Sequence, residues 1–154
     1  IIDNVITLTN EEGIFLIDSY FNSIINNKIF KNEDGIELEN SHNNIISDNT
    51  IRLNNDHGIE FYLHCTNNTI RSNTIESNKK GLYFDNSNNN TIFQNNLLKN
   101  NRNALFKNCK NVWRRNYWNG PRILPKIIFG RIGKYSLIPW FNIDRRPALK
   151  PYDI

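Results

Sequence analysis

The feature that constrains this sequence most is a repeat. Residues Asn68-Thr69-Ile70-Arg71-Ser72-Asn73-Thr74-Ile75 set a template with an aliphatic residue at +2, Asn at +5 and a second aliphatic at +7. It recurs as Asn22, Ile24, Asn27, Ile29; as Asn44, Ile46, Asn49, Ile51; and as Asn90, Ile92, Asn95, Leu97. Ile1, Asn4 and Ile6 form a truncated copy, and Asn111, Trp113, Asn116, Trp118 a last one with Trp at both apolar positions. From Asn22 onward the copies start 22, 24, 22 and 21 residues apart. A fixed period of this length means stacked units that share one core.

Between the copies lies a second element, Gly-apolar-x-apolar: Gly13-Ile14-Phe15-Leu16, Gly35-Ile36-Glu37-Leu38, Gly58-Ile59-Glu60-Phe61 and Gly81-Leu82-Tyr83-Phe84. Asn103-Ala104-Leu105-Phe106 is a fifth, with Asn in place of Gly. Both residues tolerate positive φ, so a left-handed corner is expected at this position. Local alternation has period 2, and no segment is long enough for an amphipathic helix. The chain holds 30 Asn and 23 Ile, turn formers beside strand formers. Three short strands per 22–24 residues is the arithmetic of an all-β, right-handed parallel β-helix of about five coils. A two-sheet sandwich would need tight hairpin turns that this spacing lacks. Neighbouring coils should lie about 4.8 Å apart. Asn27, Asn49, Asn73, Asn95 and Asn116 should then form an internal amide ladder, pairing donors with acceptors from coil to coil.

The repeats N-x-I-x-x-N-x-I followed by G-I-x-L resemble those of NosD-like, pectin-lyase-fold β-helices, a group of carbohydrate-binding proteins and sugar hydrolases. The resemblance covers residues 1–112 and implies a secreted, cell-surface or periplasmic location, with a polysaccharide or surface glycan as partner. It also implies a link to copper-site maturation. Beyond residue 112, Asn116-Tyr117-Trp118, Ile138-Pro139-Trp140 and Pro147-Ala148-Leu149-Lys150-Pro151-Tyr152 are similar to the carboxyl ends of archaeal β-helix surface proteins.

Residues 1–112 form the repeat region and residues 113–154 a capping tail. The formal charge of +4 divides between them: 10 Lys and Arg against 13 Asp and Glu before residue 113, and 9 against 2 after it. A uniformly basic nucleic-acid surface is therefore excluded. A solenoid needs its last coil covered, and Trp113, Trp118, Phe129 and Trp140 are the residues expected to do so. The basic rim reads first as solvated cap and second as a patch for an anionic polymer. No apolar run approaches the roughly 20 residues of a membrane helix. Ile1 falls inside a coil, so upstream coils of the same polypeptide are expected to stack on it.

The outward columns of the Gly-apolar-x-apolar strands read first as the solvated face of a structural solenoid, second as a face that binds a ligand without turnover, and third as a catalytic or calcium-binding face. One column runs Phe15, Glu37, Glu60, Tyr83, Leu105 and the next Ile17, Glu39, Tyr62, Asp85, Lys107. Aromatic faces stack on sugar C–H surfaces and carboxylates accept hydroxyl hydrogen bonds, which makes Glu37, Glu39, Glu60, Tyr62, Tyr83 and Asp85 the candidate ligand-binding residues. Glu37 and Glu60 should lie one above the other, close enough for repulsion to raise one pKa. Glu37, Glu60 and Asp85 are accordingly the candidate catalytic carboxyls for a hydrolase or lyase. Lys107 is the only cation in those columns.

His42, His64 and Cys65 fall near one corner and read first as turn decoration and second as candidate metal ligands, for copper. Their spacing matches no ligand motif, and the chain has no Met. Asp56-His57-Gly58 reads as a corner. Cys65 takes the slot of Ser19, Ser41 and Ser87, and Cys109 nearly the same slot two coils on. That places the thiols about 9.6 Å apart, too far for a disulfide. Phosphate loops, Ser/His/Asp constellations and paired Cys motifs do not occur.

Overall fold

Each coil turns through three faces because three short strands alternate with left-handed corners. The computed structural model describes all of residues 1–154. The first face stacks β1 (Val5–Thr7), β4 (Lys28–Phe30), β7 (Thr50–Arg52), β10 (Thr74–Glu76), β13 (Asn96–Leu98) and β16 (Tyr117–Trp118) into a six-stranded parallel sheet. The second stacks β2 (Ile14–Ile17), β5 (Ile36–Glu39), β8 (His57–Tyr62), β11 (Lys80–Asp85) and β14 (Arg102–Lys107). The third stacks β3 (Ser23–Ile25), β6 (Ile45–Ser47), β9 (Thr69–Arg71), β12 (Thr91–Phe93) and β15 (Val112–Arg114). The result is a right-handed parallel β-helix of about six turns, with no helix.

Ile24, Ile29, Ile36, Ile46, Ile51, Ile59, Ile70 and Ile75 are fully buried and fill the axis with Leu38, Phe61, Leu82 and Phe84. The aliphatic positions of the repeat are therefore the core, and β branching suits them to stacked strands.

Asn supplies the corners. The predicted ladder is present: the backbone N–H and Nδ2 of each of Asn27, Asn49, Asn73 and Asn95 donate to Oδ1 of the next Asn, over 2.8–3.1 Å, ending at Asn116. Two further ladders accompany it. Asn44, Asn68, Asn90 and Asn111 form one, and Asn32, Asn54, Asn78 and Asn100 the other. Residues just before the first ladder carry the positive φ: Asn26 at 54°, Asp48 at 60°, Ser72 at 51°, Gln94 at 55° and Arg115 at 55°.

The expected left-handed corner at the repeat glycines is not there. Gly13, Gly35, Gly58, Gly81 and Asn103 all lack positive φ. Gly is required for space instead: a Cβ at Gly35 would lie 2.5 Å from the Gly58 carbonyl oxygen and 2.6 Å from Ile51 Cγ2. Asn103 is accommodated because the following strand pairs only with Phe106 and Lys107, leaving room above its side chain.

Parallel pairing continues past residue 112 through β15 and β16, where Trp113 and Trp118 occupy the core positions held elsewhere by Ile. Beyond them, β17 (Lys126–Ile132) and β18 (Ile138–Asp144) form an antiparallel hairpin. Strand β17 adds to β14 and β18 adds to β15, so the hairpin joins the second and third faces into one sheet of 12 strands. Phe129 and Trp140 do not cover the last coil; they are 68% and 47% exposed. The alternation of the hairpin turns Ile128, Asn142 and Asp144 inward instead. Asn142 accepts from the Asn111 backbone, extending one ladder, and Asp144 ends another by accepting from Asn116 and from Trp118 Nε1.

Candidate functional site

The second face carries the chemistry. Register places Glu37 directly beside Glu60, and Glu60 beside Tyr83, as the outward column requires. Glu39 pairs with Tyr62 in the neighbouring column, where Tyr62 remains exposed. Asp85 is buried; its carboxylate accepts from Lys107 Nζ at 3.0 Å and faces the Tyr83 hydroxyl at 3.5 Å. Lys107 is thus engaged with Asp85 rather than with Glu60.

The centre of the site is His57, and the corner reading of Asp56-His57-Gly58 is wrong. Strand β8 begins at His57 because β11 extends back to Lys80, which pairs with it. The imidazole is buried. Its Nδ1 lies 3.0 Å from Asp34 Oδ1 and 2.9 Å from Glu60 Oε2, and its ring stacks on Tyr83 at 5.1 Å and 13°. Nε2 lies 2.9 Å from Lys80 Nζ, which also reaches both Asp56 oxygens, at 3.2 and 3.4 Å.

These residues share a sequence position that the motif reading passed over. Glu12, Asp34, His57, Lys80 and Arg102 each stand immediately before the Gly, or Asn, of the second element. Stacked, they run from acid to base along the axis.

The crowding perturbs protonation. Burial, then the charges of Glu60, Glu12 and Asp34 and a hydrogen bond with Glu12, push Glu37 up to about 7. Burial alone would lower His57, but hydrogen bonds to Asp34 and Glu60 and their charges raise it to about 9. On its other edge the ring meets Lys80, whose Nζ lies 2.9 Å from Nε2. Burial opposes ionisation of Asp56, yet His57, Lys80 and Lys79 bring its pKa below the usual range. Burial and the charges of Asp85 and Glu60 raise Tyr83 to about 12, leaving a neutral phenol. The site therefore combines a carboxyl that titrates near neutrality, an imidazole bridged between two carboxylates, and a phenol donor.

Above it, a groove of about 580 Å³ under the hairpin is lined by Tyr83, Arg102, Lys107, Phe129, Arg131 and Tyr135. Below it, Phe15 and Ile17 are exposed beside Glu12 and Glu37.

Metal-ligand geometry lies here and not at the predicted corner. Donor atoms of Asp34, Asp56 and His57 fall within 4.8 Å of one another, as do those of Glu12, Asp34 and Glu37. His42, His64 and Cys65 form no such group. Cys65 Sγ faces the interior, donating to the Leu38 carbonyl at 3.1 Å, and His42 Nδ1 pairs with Thr66 Oγ1 at 2.8 Å. Cys65 replaces Ser in a hydroxyl ladder, accepting from Ser41 N and donating its own N–H to Ser87 Oγ. Both cysteines are free and buried.

Fold and face together define a parallel β-helix repeat protein with a titratable site on one flat sheet. The chain belongs to the NosD family: the profile described as "Periplasmic copper-binding protein (NosD)" matches residues 1–132. No curated protein matches it. Among solved structures it is similar to the periplasmic alginate epimerase AlgG, with a TM-score of 0.68 and 20% identity over 96% of this chain. A mutant of that epimerase matches with a TM-score of 0.61 and 21% identity over 86% of this chain. The chain spans only 38% and 31% of those two proteins, and at this identity the likeness is one of fold.

Proposed function

We propose that this chain is a periplasmic β-helix protein that binds a saccharide chain along the second face, with Glu37, Glu60 and Tyr83 as its central contacts and buried His57 holding Glu60 and Tyr83 in place. The observation that carries this reading is the stacking of these groups on three consecutive coils, with exposed Phe15 on the coil before them, exposed Tyr62 in the column beside them and the Tyr135 groove on the far side. Carboxylates accept sugar hydroxyls, the phenol donates, and aromatic rings meet C–H faces. Support for the compartment comes from the description of the family and from the periplasmic epimerase of similar fold. A chain lying along the axis would meet carboxylates at one end and Arg102, Lys107 and Arg131 at the other. Glu37, half protonated near neutrality, is the group suited to donate a proton if bound sugar is also turned over.

A glycan array and a reducing-end assay on one preparation test this, with Glu60→Gln and Tyr83→Ala alongside. Binding that both substitutions weaken at least tenfold supports the reading, and reducing ends formed by the wild type but not by Glu60→Gln add hydrolysis or lysis to it. Binding unaffected by either variant, or none, overturns it.

The second reading, copper handling, is favoured by the Asp34, Asp56 and His57 donors and by the family description. Nitrogen and oxygen donors suit Cu(II). Lys80 Nζ stands against His57 Nε2, so a metal at this place would have to displace it. Stoichiometric Cu(II) retained through dialysis and lost in His57→Ala would favour this reading over the first.

A further inference from the structure

The basic tail builds a second site, away from the His57 face. A cleft of about 640 Å³ opens where the third face meets the hairpin, and four arginines line it: Arg114 and Arg115 from the end of β15, and Arg145 and Arg146 just after β18. Phe93 lies one coil below Arg114 in register, with the guanidinium 4.9 Å over its ring. All four arginines are solvent-exposed.

The cleft has no countercharge. The only carboxylate at hand is Asp144, fully buried and occupied by the N–H groups of Arg115, Asn116 and Arg146, the Asn116 amide and the Trp118 indole. The only arginine ion pair in the molecule joins Arg71 to Asp48 at 3.7 Å, two coils away. A solvated rim would spread its charge, whereas here four arginines line one concavity together with Phe93, Val112 and Ile143.

We propose that this cleft binds a phosphate- or sulfate-type oxyanion. Planar guanidinium forks match tetrahedral oxyanions bidentately. The volume exceeds that of a free ion, and the apolar part of the lining gives room to the body that carries it. Held between the last coil and the cap hairpin, the anion would neutralise the charge that the tail concentrates there.

The test is isothermal titration of the full chain at fixed ionic strength with three probes that separate the sources of the anion: inorganic pyrophosphate, glucose 6-phosphate with glucose as control, and phosphatidylglycerol vesicles. The expected result is binding of at least one probe, at least tenfold weaker in Arg114→Gln/Arg145→Gln. Arg114→Lys/Arg145→Lys keeps the charge and loses the fork, and should fall between the two. Thermal unfolding of each variant confirms that it folds. No binding of any probe, or equal binding by the wild type and the Gln variant, overturns the proposal; a Lys variant as good as the wild type overturns the bidentate geometry.

Discussion

Replacing Asn73 by Ala tests whether the amide ladders hold the coils together. Asn73 is fully buried; Nδ2 donates to the carbonyls of Ile46 and Arg71 and to Asn95 Oδ1, at 2.9, 2.9 and 3.0 Å. Its Oδ1 accepts from the backbone and the side chain of Asn49, both at 2.9 Å. Asn49 Nδ2 keeps the carbonyls of Ile24 and Ser47 after the substitution, but its backbone N–H loses its acceptor. An orphaned buried donor costs about 1–3 kcal/mol, and the other lost bonds and the small cavity bring the total to about 3–5 kcal/mol. Asn55 is the control: exposed, with one 3.3 Å contact to Glu33, its substitution by Ala should cost less than about 0.5 kcal/mol. Urea unfolding followed by tryptophan fluorescence reports both. A midpoint for Asn73→Ala no lower than that of Asn55→Ala would refute the reasoning.

Three further outcomes follow from the same geometry. The raised pKa values of Glu37 and His57 mean that the folded state binds more protons than the unfolded chain, from about 4.5 to 7 for Glu37 and from 6.5 to 9 for His57. The melting temperature should therefore fall as pH rises through both windows, with Glu37→Gln flattening the lower window and His57→Gln the upper; melting curves from pH 4 to 10 check this. Gly58→Ala would set a Cβ 2.7 Å from the Gly81 carbonyl oxygen and should destabilise by about 1–3 kcal/mol in urea, whereas Gly120→Ala, with open space around it, should be nearly neutral. Asp144→Ala removes the acceptor of Trp118 Nε1 and of the Asn116 N–H, so it should loosen the cap, lowering stability in urea by about 3 kcal/mol with a red shift in tryptophan emission.

The coils were legible because stacking forces each position to repeat. Asn27, Asn49 and Asn73 recur at one offset, and the residue at that offset must satisfy its own amide indoors. Asn32, Asn54, Asn78 and Asn100 do the same but lie outside the eight-residue template, so their ladder was not anticipated. Glycine was misread because two physical demands select it, positive φ and close approach, and only the geometry distinguishes them.

In the site, Glu37, Glu60 and Tyr83 followed from strand alternation. His57 did not, because Asp-His-Gly has the composition of a turn, and its partners Asp34 and Lys80 lie 23 residues to either side. Aligning the coils on their glycines would have revealed the column. Phe129 and Trp140 were misplaced because hairpin register, which decides which residues face inward, has no counterpart in the repeat.

Carbon-13 NMR titration of the Glu37 carboxyl and the His57 ring, with assignments from Glu37→Gln and His57→Gln, tests most directly whether the carboxylates packed around these two groups set their protonation. The account predicts midpoints of about 7 for Glu37 and about 9 for His57, the first falling when Glu60 is replaced by Gln. Midpoints at the ordinary values of 4.5 and 6.5, unmoved by that replacement, would contradict it.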